Sequence, residues 1–387
     1  MTRKFHVVAL VAALFCAPLL VGCPDNGIVK DGLIIIDDIP GLSVKALWDG
    51  FVSFICGGDS PFEIGDIIIA SAEGGFLRRI AALGEDAEEI LSETEFCSLS
   101  EAVENGLMTD NLAFTSVDFQ SAGLPLINGT RIIDLSGTDI YRDYGVAVVV
   151  KNGTLDCAPT INLAATWDNF RLSSFNMAVS GTIALNLDIS VGVDNKTPLT
   201  FESEIIPPVV LPFATSIGPV PVYGAARLQF PFGVTGKFDG DTSIWTGFDA
   251  SETFALGAAF DDGAWSSYSD FQPIVFNGHP LTWNIEVGAD VTAYVKVVAS
   301  VRLYEAVDLS VFAKPYARVD LDILPSPFTI TLGGGLDFGL SYGIKILDWQ
   351  ILGDSYYWPG PYIDNTWTIE YSDPLEWTSG SWDYWNL

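Results

Sequence analysis

The sequence predicts an all-β fold, mainly antiparallel: an elongated large β-sandwich or curled sheet with long strands, plus a small N-terminal β-rich module carrying a short helix. Two observations carry this. Apolar and polar residues alternate with period two over stretches far longer than the usual strand of roughly five or six residues. The composition, 49% hydrophobic, 12% aromatic and 17% charged, supports a large buried core and argues against disorder. At 387 residues the chain has room for one large domain or two modest ones.

The first element, residues 1–22, reads as an export leader. A short basic start (Arg3, Lys4) precedes the apolar stretch Val7–Val21, the layout of a secretory signal peptide. A helix over that stretch rises about 22 Å, short of the roughly 30 Å hydrocarbon core, so a permanent membrane span is the poorer reading. The leader ends in Leu20-Val21-Gly22-Cys23. This tetrapeptide resembles the lipobox of bacterial lipoproteins, whose cysteine thiol accepts a diacylglyceryl group. The resemblance implies a precursor lipidated at Cys23 and held on a membrane by acyl chains, since two chains anchor stably where one is marginal. Pro24 follows the cysteine where inner-membrane retention uses aspartate. Outer-membrane or cell-surface placement in the cell envelope is therefore favoured.

Residues 23–61 then read as a lipidated N-terminus, a short tether (Pro24–Gly32) and a first strand at Leu33-Ile34-Ile35-Ile36. Residues 62–110 read as the small module. Gly65–Ile69 and Phe76–Ile80 are strands across Gly74-Gly75, and Ser98–Asn105 is a brief helix with Ser98 as cap and Glu101 three residues on. Over Ala81–Ser92 a helix rivals a strand, because "AALGEDAEEILS" holds good helix formers around an internal glycine. "GDIIIASAEGGFLRRI" with "SETEFCSLSEAVENG", and later "SIGPVPVYGAARLQFPFGVTGKFDG", resemble segments of uncharacterised β-rich exported proteins. That resemblance implies an all-β exported architecture and carries no catalytic residue across.

Residues 111–365 read as the large antiparallel domain. From Leu281 to Leu303 successive odd positions are apolar, while Asp290, Lys296, Ser300 and Arg302 fall among the even ones. After Glu305 the odd phase resumes from Val307 to Ile323. Ile183 to Val193 repeats the pattern, with Thr182, Asn186, Asp188 and Ser190 opposite. Such runs imply very long strands, or hairpins whose turns keep the phase. An open outer-membrane barrel is the alternative.

Residues 366–387 form an aromatic-rich tail. Trp358, Trp367, Trp377, Trp382 and Trp385 offer faces suited to stacking on sugar rings and are the candidate glycan contacts. Packing over the open end of the sheet is the competing reading.

Chemistry is sparse. Of the two histidines, His6 leaves with the leader and His279 lies in the turn-like "FNGHPL", without a G-x-S-x-G elbow. Multi-histidine metal centres are then excluded within one mature chain, and no cofactor motif stands out. Asp239-Gly240-Asp241 and Asp261-Asp262-Gly263 lack a calcium-loop frame and read as polar turns. Arg78-Arg79 reads as a solvent-facing pair, and Gly333–Gly335 as a tight strand connection. Of five cysteines, Cys56, Cys97 and Cys157 stay free of leader and lipid, and Cys56–Cys97 is the disulfide candidate because both fall in the small N-terminal region. The mature chain carries 16 Lys+Arg against 49 Asp+Glu, a net charge of −33, which excludes nucleic acid as a partner. The expectation is a membrane-anchored, non-enzymatic structural or interaction protein with a glycan or protein partner unidentified. A carbohydrate or cell-wall binder, or a hydrophobic-ligand (lipid) binder, is the alternative.

Overall fold

The computed structural model describes residues 30–86, 89–143, 145–193, 198–204, 206–238, 242–261, 263–271, 275–279, 281–285, 288–304, 307–322, 328–346, 349–357, 363–371, 379–382 and 385–386. Nearly all regular structure in them is strand, arranged in three mostly antiparallel sheets of six, twelve and ten strands.

The six-stranded sheet comprises β1 (Leu33–Ile35), β2 (Leu42–Trp48), β3 (Phe51–Cys56), β4 (Ile67–Ala70), β5 (Phe76–Asp86) and β6 (Glu89–Phe96), in the order β1-β4-β5-β6-β3-β2. Only β1 against β4 is parallel. Pairing of β3 with β6 and of β1 with β4 draws residues on both sides of position 62 into one sheet, so the small unit starts earlier than the sequence suggested. Residues 81–86 and 89–92 are strand rather than helix, paired antiparallel with Gly84 opposite Leu91 and Asp86 opposite Glu89. The helix α1 (Leu99–Ala102) has the expected box, with the Ser98 side chain taking the third backbone N–H and Glu101 reaching back to the Ser98 N–H. It ends earlier than expected because Val103 is already extended.

The chain then alternates between the two large sheets. β7 (Gly106–Ala113), the short helix α2 (Ser116–Ser121), β8 (Ile133–Asp134), β9 (Asp139–Asp143), β10 (Val146–Cys157), β11 (Thr160–Asp168) and β12 (Arg171–Val193) contribute six strands to the twelve-stranded sheet. β13 (Pro198–Glu204), β14 (Val209–Ile217), β15 (Val220–Gln229) and β16 (Pro231–Phe238) cross to the ten-stranded sheet. β17 (Thr242–Asp261), β18 (Ala264–Phe271), β19 (Val275–Gly278) and β20 (Leu281–Ile285) return to the first. β21 (Gly288–Val295), β22 (Val297–Leu303), β23 (Val307–Asp322), β24 (Phe328–Ile346), β25 (Trp349–Tyr357) and β26 (Ile363–Tyr371) belong to the second. Finally β27 (Ser379–Trp382) and β28 (Trp385–Asn386) pair with β20 and β19. Where described, the aromatic end of the chain is paired strand, and the expected tail boundary at 366 falls inside β26.

Parity of the register explains the long alternating runs. On the β22–β23 hairpin odd residues face odd residues, as in Ala299 opposite Val311 and Leu303 opposite Val307. β21 continues the same register, Val291 opposite Val319, so the loop after Leu303 preserves phase and Val291, Val295, Val301, Val311 and Val319 all bury one face. The run starting at Leu281 is nevertheless not one strand, since β20 pairs β17 in the other sheet. Between β12 and β17 the register couples odd to even: Leu187 opposite Phe248, Leu185 opposite Ala250. The inward face of β17 is therefore its even face.

The inward faces of the two large sheets share one core with one end of the small sheet, through Ile67, Ile69, Leu77 and Cys97. The other face of the small sheet closes a core of its own around Phe54, Ile68 and Phe76. Among the described residues no pairing joins the end strands of either large sheet, so both are open and the architecture is sandwich-like. No described helix is long and apolar enough to cross a membrane.

Candidate functional site

On the outer, wetter face of the twelve-stranded sheet, β10, β12 and β17 place Asn152, Asn186, Asp188 and Asp249 side by side through the pairs Asn152–Asp188 and Asn186–Asp249. His279, just beyond β19, completes the group: its backbone N–H donates to Gly247 O at 2.8 Å. Its ring Nδ1 lies 2.6 Å from Asp188 Oδ1 and its Nε2 3.3 Å from Asp249 Oδ2. Asn152 donates to the other Asp188 oxygen at 3.1 Å, and Asn186 to the other Asp249 oxygen. Gly247 makes room for the ring, because a Cβ there would stand 2.4 Å from Asp188 Oδ1 and 2.7 Å from His279 Nδ1.

Carboxylates thus take both imidazole nitrogens. A Ser-His or Cys-His machine needs one nitrogen turned to the nucleophile, so this histidine is built as a clamp between strands. Two residues from Gly247 on the same face, Trp245 is 50% exposed and flanked across the strands by Ser190 and Thr282. The face therefore combines one exposed aromatic ring with a row of oriented amide and carboxylate groups.

The opposite face of β17 holds Glu252, only 5% exposed, beside Ile183. Among the described residues neither carboxyl oxygen has a hydrogen-bond partner, and burial pushes its pKa up to about 7. A second acid that would make it half of a hydrolytic pair is not among the groups acting on it. Among the described residues no three His, Cys, Asp or Glu side chains converge as metal ligands.

Several expectations need correction. Cys56, Cys97 and Cys157 are free thiols. The Cys56–Cys97 pairing fails on register: Phe51 faces Glu93 and Ile55 faces Glu89, so the two cysteines sit at opposite ends of the β3–β6 pair, about 30 Å apart along the strands. A disulfide needs Cα atoms within about 7 Å. Arg78 is not solvent-facing; it is buried and donates to Trp48 O at 3.2 Å and Thr94 Oγ1 at 3.4 Å. Arg79, on the other face, pairs with Glu101. Gly333–Gly335 lies in mid-strand, paired to β23 on one side and β26 on the other.

Of the candidate glycan contacts, backbone pairing sets Trp367 opposite Leu332, Trp382 opposite Leu281 and Trp385 opposite Gly278. Cys23, Trp358, Trp377, Asp239-Gly240-Asp241 and Asp262 lie outside the described residues. Trp245 and Glu252 escaped the sequence reading, although the even-numbered run Ile244, Phe248, Ala250, Phe254, Leu256 would have exposed Glu252 as an acid on an apolar face. Comparison with family models, with curated proteins and with solved structures finds no match.

Proposed function

We propose that the chain is a lipid-anchored extracytoplasmic β protein with a structural or interaction role rather than an enzyme. The observation carrying this reading is the shared apolar core, in which Ile189, Val191, Phe248, Val291 and Val319 from the two large sheets are buried together. Among the described residues a cavity between the large sheets, lined by Ile189, Val191, Ile244, Phe248, Val291 and Val319 among others, measures about 20 Å³, room for about one water and far too little for an acyl chain. The committed nitrogens of His279 support the same reading. Anchorage rests on the Leu20-Val21-Gly22-Cys23 sequence. Cys23→Ser is expected to move the protein from washed membranes to the soluble fraction, and its persistence in membranes would overturn the anchor.

A second reading, carbohydrate binding, is favoured by the outer face at Trp245, where an exposed ring adjoins oriented polar groups suited to hydroxyls. On a glycan array Trp245→Ala is expected to abolish binding that Trp367→Ala, on β26 of the other large sheet, leaves intact. An array without any bound glycan ends this reading.

A further inference from the structure

We propose that the exposed apolar face of the small sheet rests on the bilayer surface to which the chain is anchored, making β2, β3 and β6 a membrane contact. This rests on the reading of Cys23 as lipidated. The face is set by register. Trp48 is opposite Phe51 on the β2–β3 hairpin, and β6 brings Leu91 opposite Ser53, the residue midway between Phe51 and Ile55 on the same side of β3. Trp48, Phe51, Ile55 and Leu91 are 51%, 41%, 47% and 45% exposed, although the sheet has filled its other face with Val52, Phe54 and Ile90. An isolated exposed side chain is ordinary, but four large ones gathered on one strand surface mark a contact.

Two considerations select lipid as the occupant. The first is reach. The ten residues from Cys23 to Leu33 span at most about 35 Å, and five strand spacings of about 4.8 Å put β2 roughly 24 Å from β1. An anchor at Cys23 therefore keeps this face within touching distance of the bilayer. The second is area. Four half-exposed side chains offer roughly 400 Å², about half of what each partner contributes to a stable protein interface. An anchored chain needs less, because the contact is intramolecular with respect to the membrane, and tryptophan is well suited to the headgroup level. Glu93 opposite Phe51 and Glu89 opposite Ile55, the latter paired with Lys45 and accepting from Ser53, stand among the apolar side chains, leaving the patch without net positive charge and matching a zwitterionic rather than an anionic surface.

The test uses the lipid-bearing protein in phosphatidylcholine vesicles with brominated acyl chains as the quencher. Quenching of tryptophan fluorescence is expected to lose one component in Trp48→Phe, and the Phe51→Ser, Leu91→Ser double variant should retain about a tenth of that component. Equal quenching of wild type and Trp48→Phe overturns the proposal. So does a concentration-dependent dimer of the vesicle-free Cys23→Ser protein that the double variant abolishes, which would make a second copy the occupant. Intact mass reports the anchor separately. With Cys23 acylated, absent Trp48 quenching sinks the membrane face alone. With Cys23 unmodified the anchor reading falls, and the face stands or falls on the same quenching at excess vesicles.

Discussion

Between Ala250 and Phe254 on β17, Glu252 carries a carboxyl into an apolar layer where no described residue offers it a donor, and Ile183 across the strand brings no charge. Its folded-state pKa of about 7 lies above the ordinary 4.5, so folding favours the protonated acid. Stability from this site is full below about pH 4.5, erodes as pH rises toward 7, and settles at a constant penalty above it. The penalty is roughly 3 kcal/mol. Glu252→Gln mimics the protonated acid, so urea midpoints should match wild type at pH 4.5 and exceed it clearly at pH 8. Equal midpoints at both pH values would show that the carboxylate finds a partner. On the opposite face, His279→Ala leaves Asp188 and Asp249 facing each other without the ring between them. A loss of about 1–3 kcal/mol in urea unfolding is expected.

At the level of elements, the small sheet meets the sandwich through close contacts that tolerate little. Gly75 has φ +102°, and a Cβ there would stand 2.2 Å from the Tyr223 Cβ on β15. Tyr223 itself donates to Asp37 at 2.9 Å, tying the same seam. Gly75→Ala should cost about 2–4 kcal/mol in thermal unfolding, from overlap and from the left-handed backbone together. Gly84→Ala, where the nearest atom is 3.6 Å away, should cost under about 1 kcal/mol. Comparable losses would place the seam elsewhere. Element type was legible wherever one face is buried, because burial writes a two-residue period into β12 and β21–β23. Partnership was not legible. The same odd-numbered run serves β20 in one sheet and β21 in the other, since alternation records a face and not the strand across from it. The polar clamp stayed hidden for a related reason: Asn152, Asp188, Asp249 and His279 are brought together by pairings at long sequence separation, and each alone is an ordinary surface residue.

For the whole molecule, the question is whether the small sheet unfolds with the sandwich or ahead of it. It has a core of its own, yet Ile67, Ile69, Leu77 and Cys97 are packed into the shared core with β12 and β15. Cys97 is fully buried at this seam, its thiol pushed up to about 12 mainly by desolvation. Cys157 is as deeply buried in β10 and also shifted upward, while Cys56 is half-buried. In Cys23→Ser protein a thiol reagent should modify Cys56 in the native state and the other two only on opening. If burial in one core makes one cooperative unit, Cys97 and Cys157 should become reactive at the same urea concentration. Labelling of Cys97 well below the transition that releases Cys157 would instead make the small sheet a separate unit, docked on the sandwich rather than folded into it.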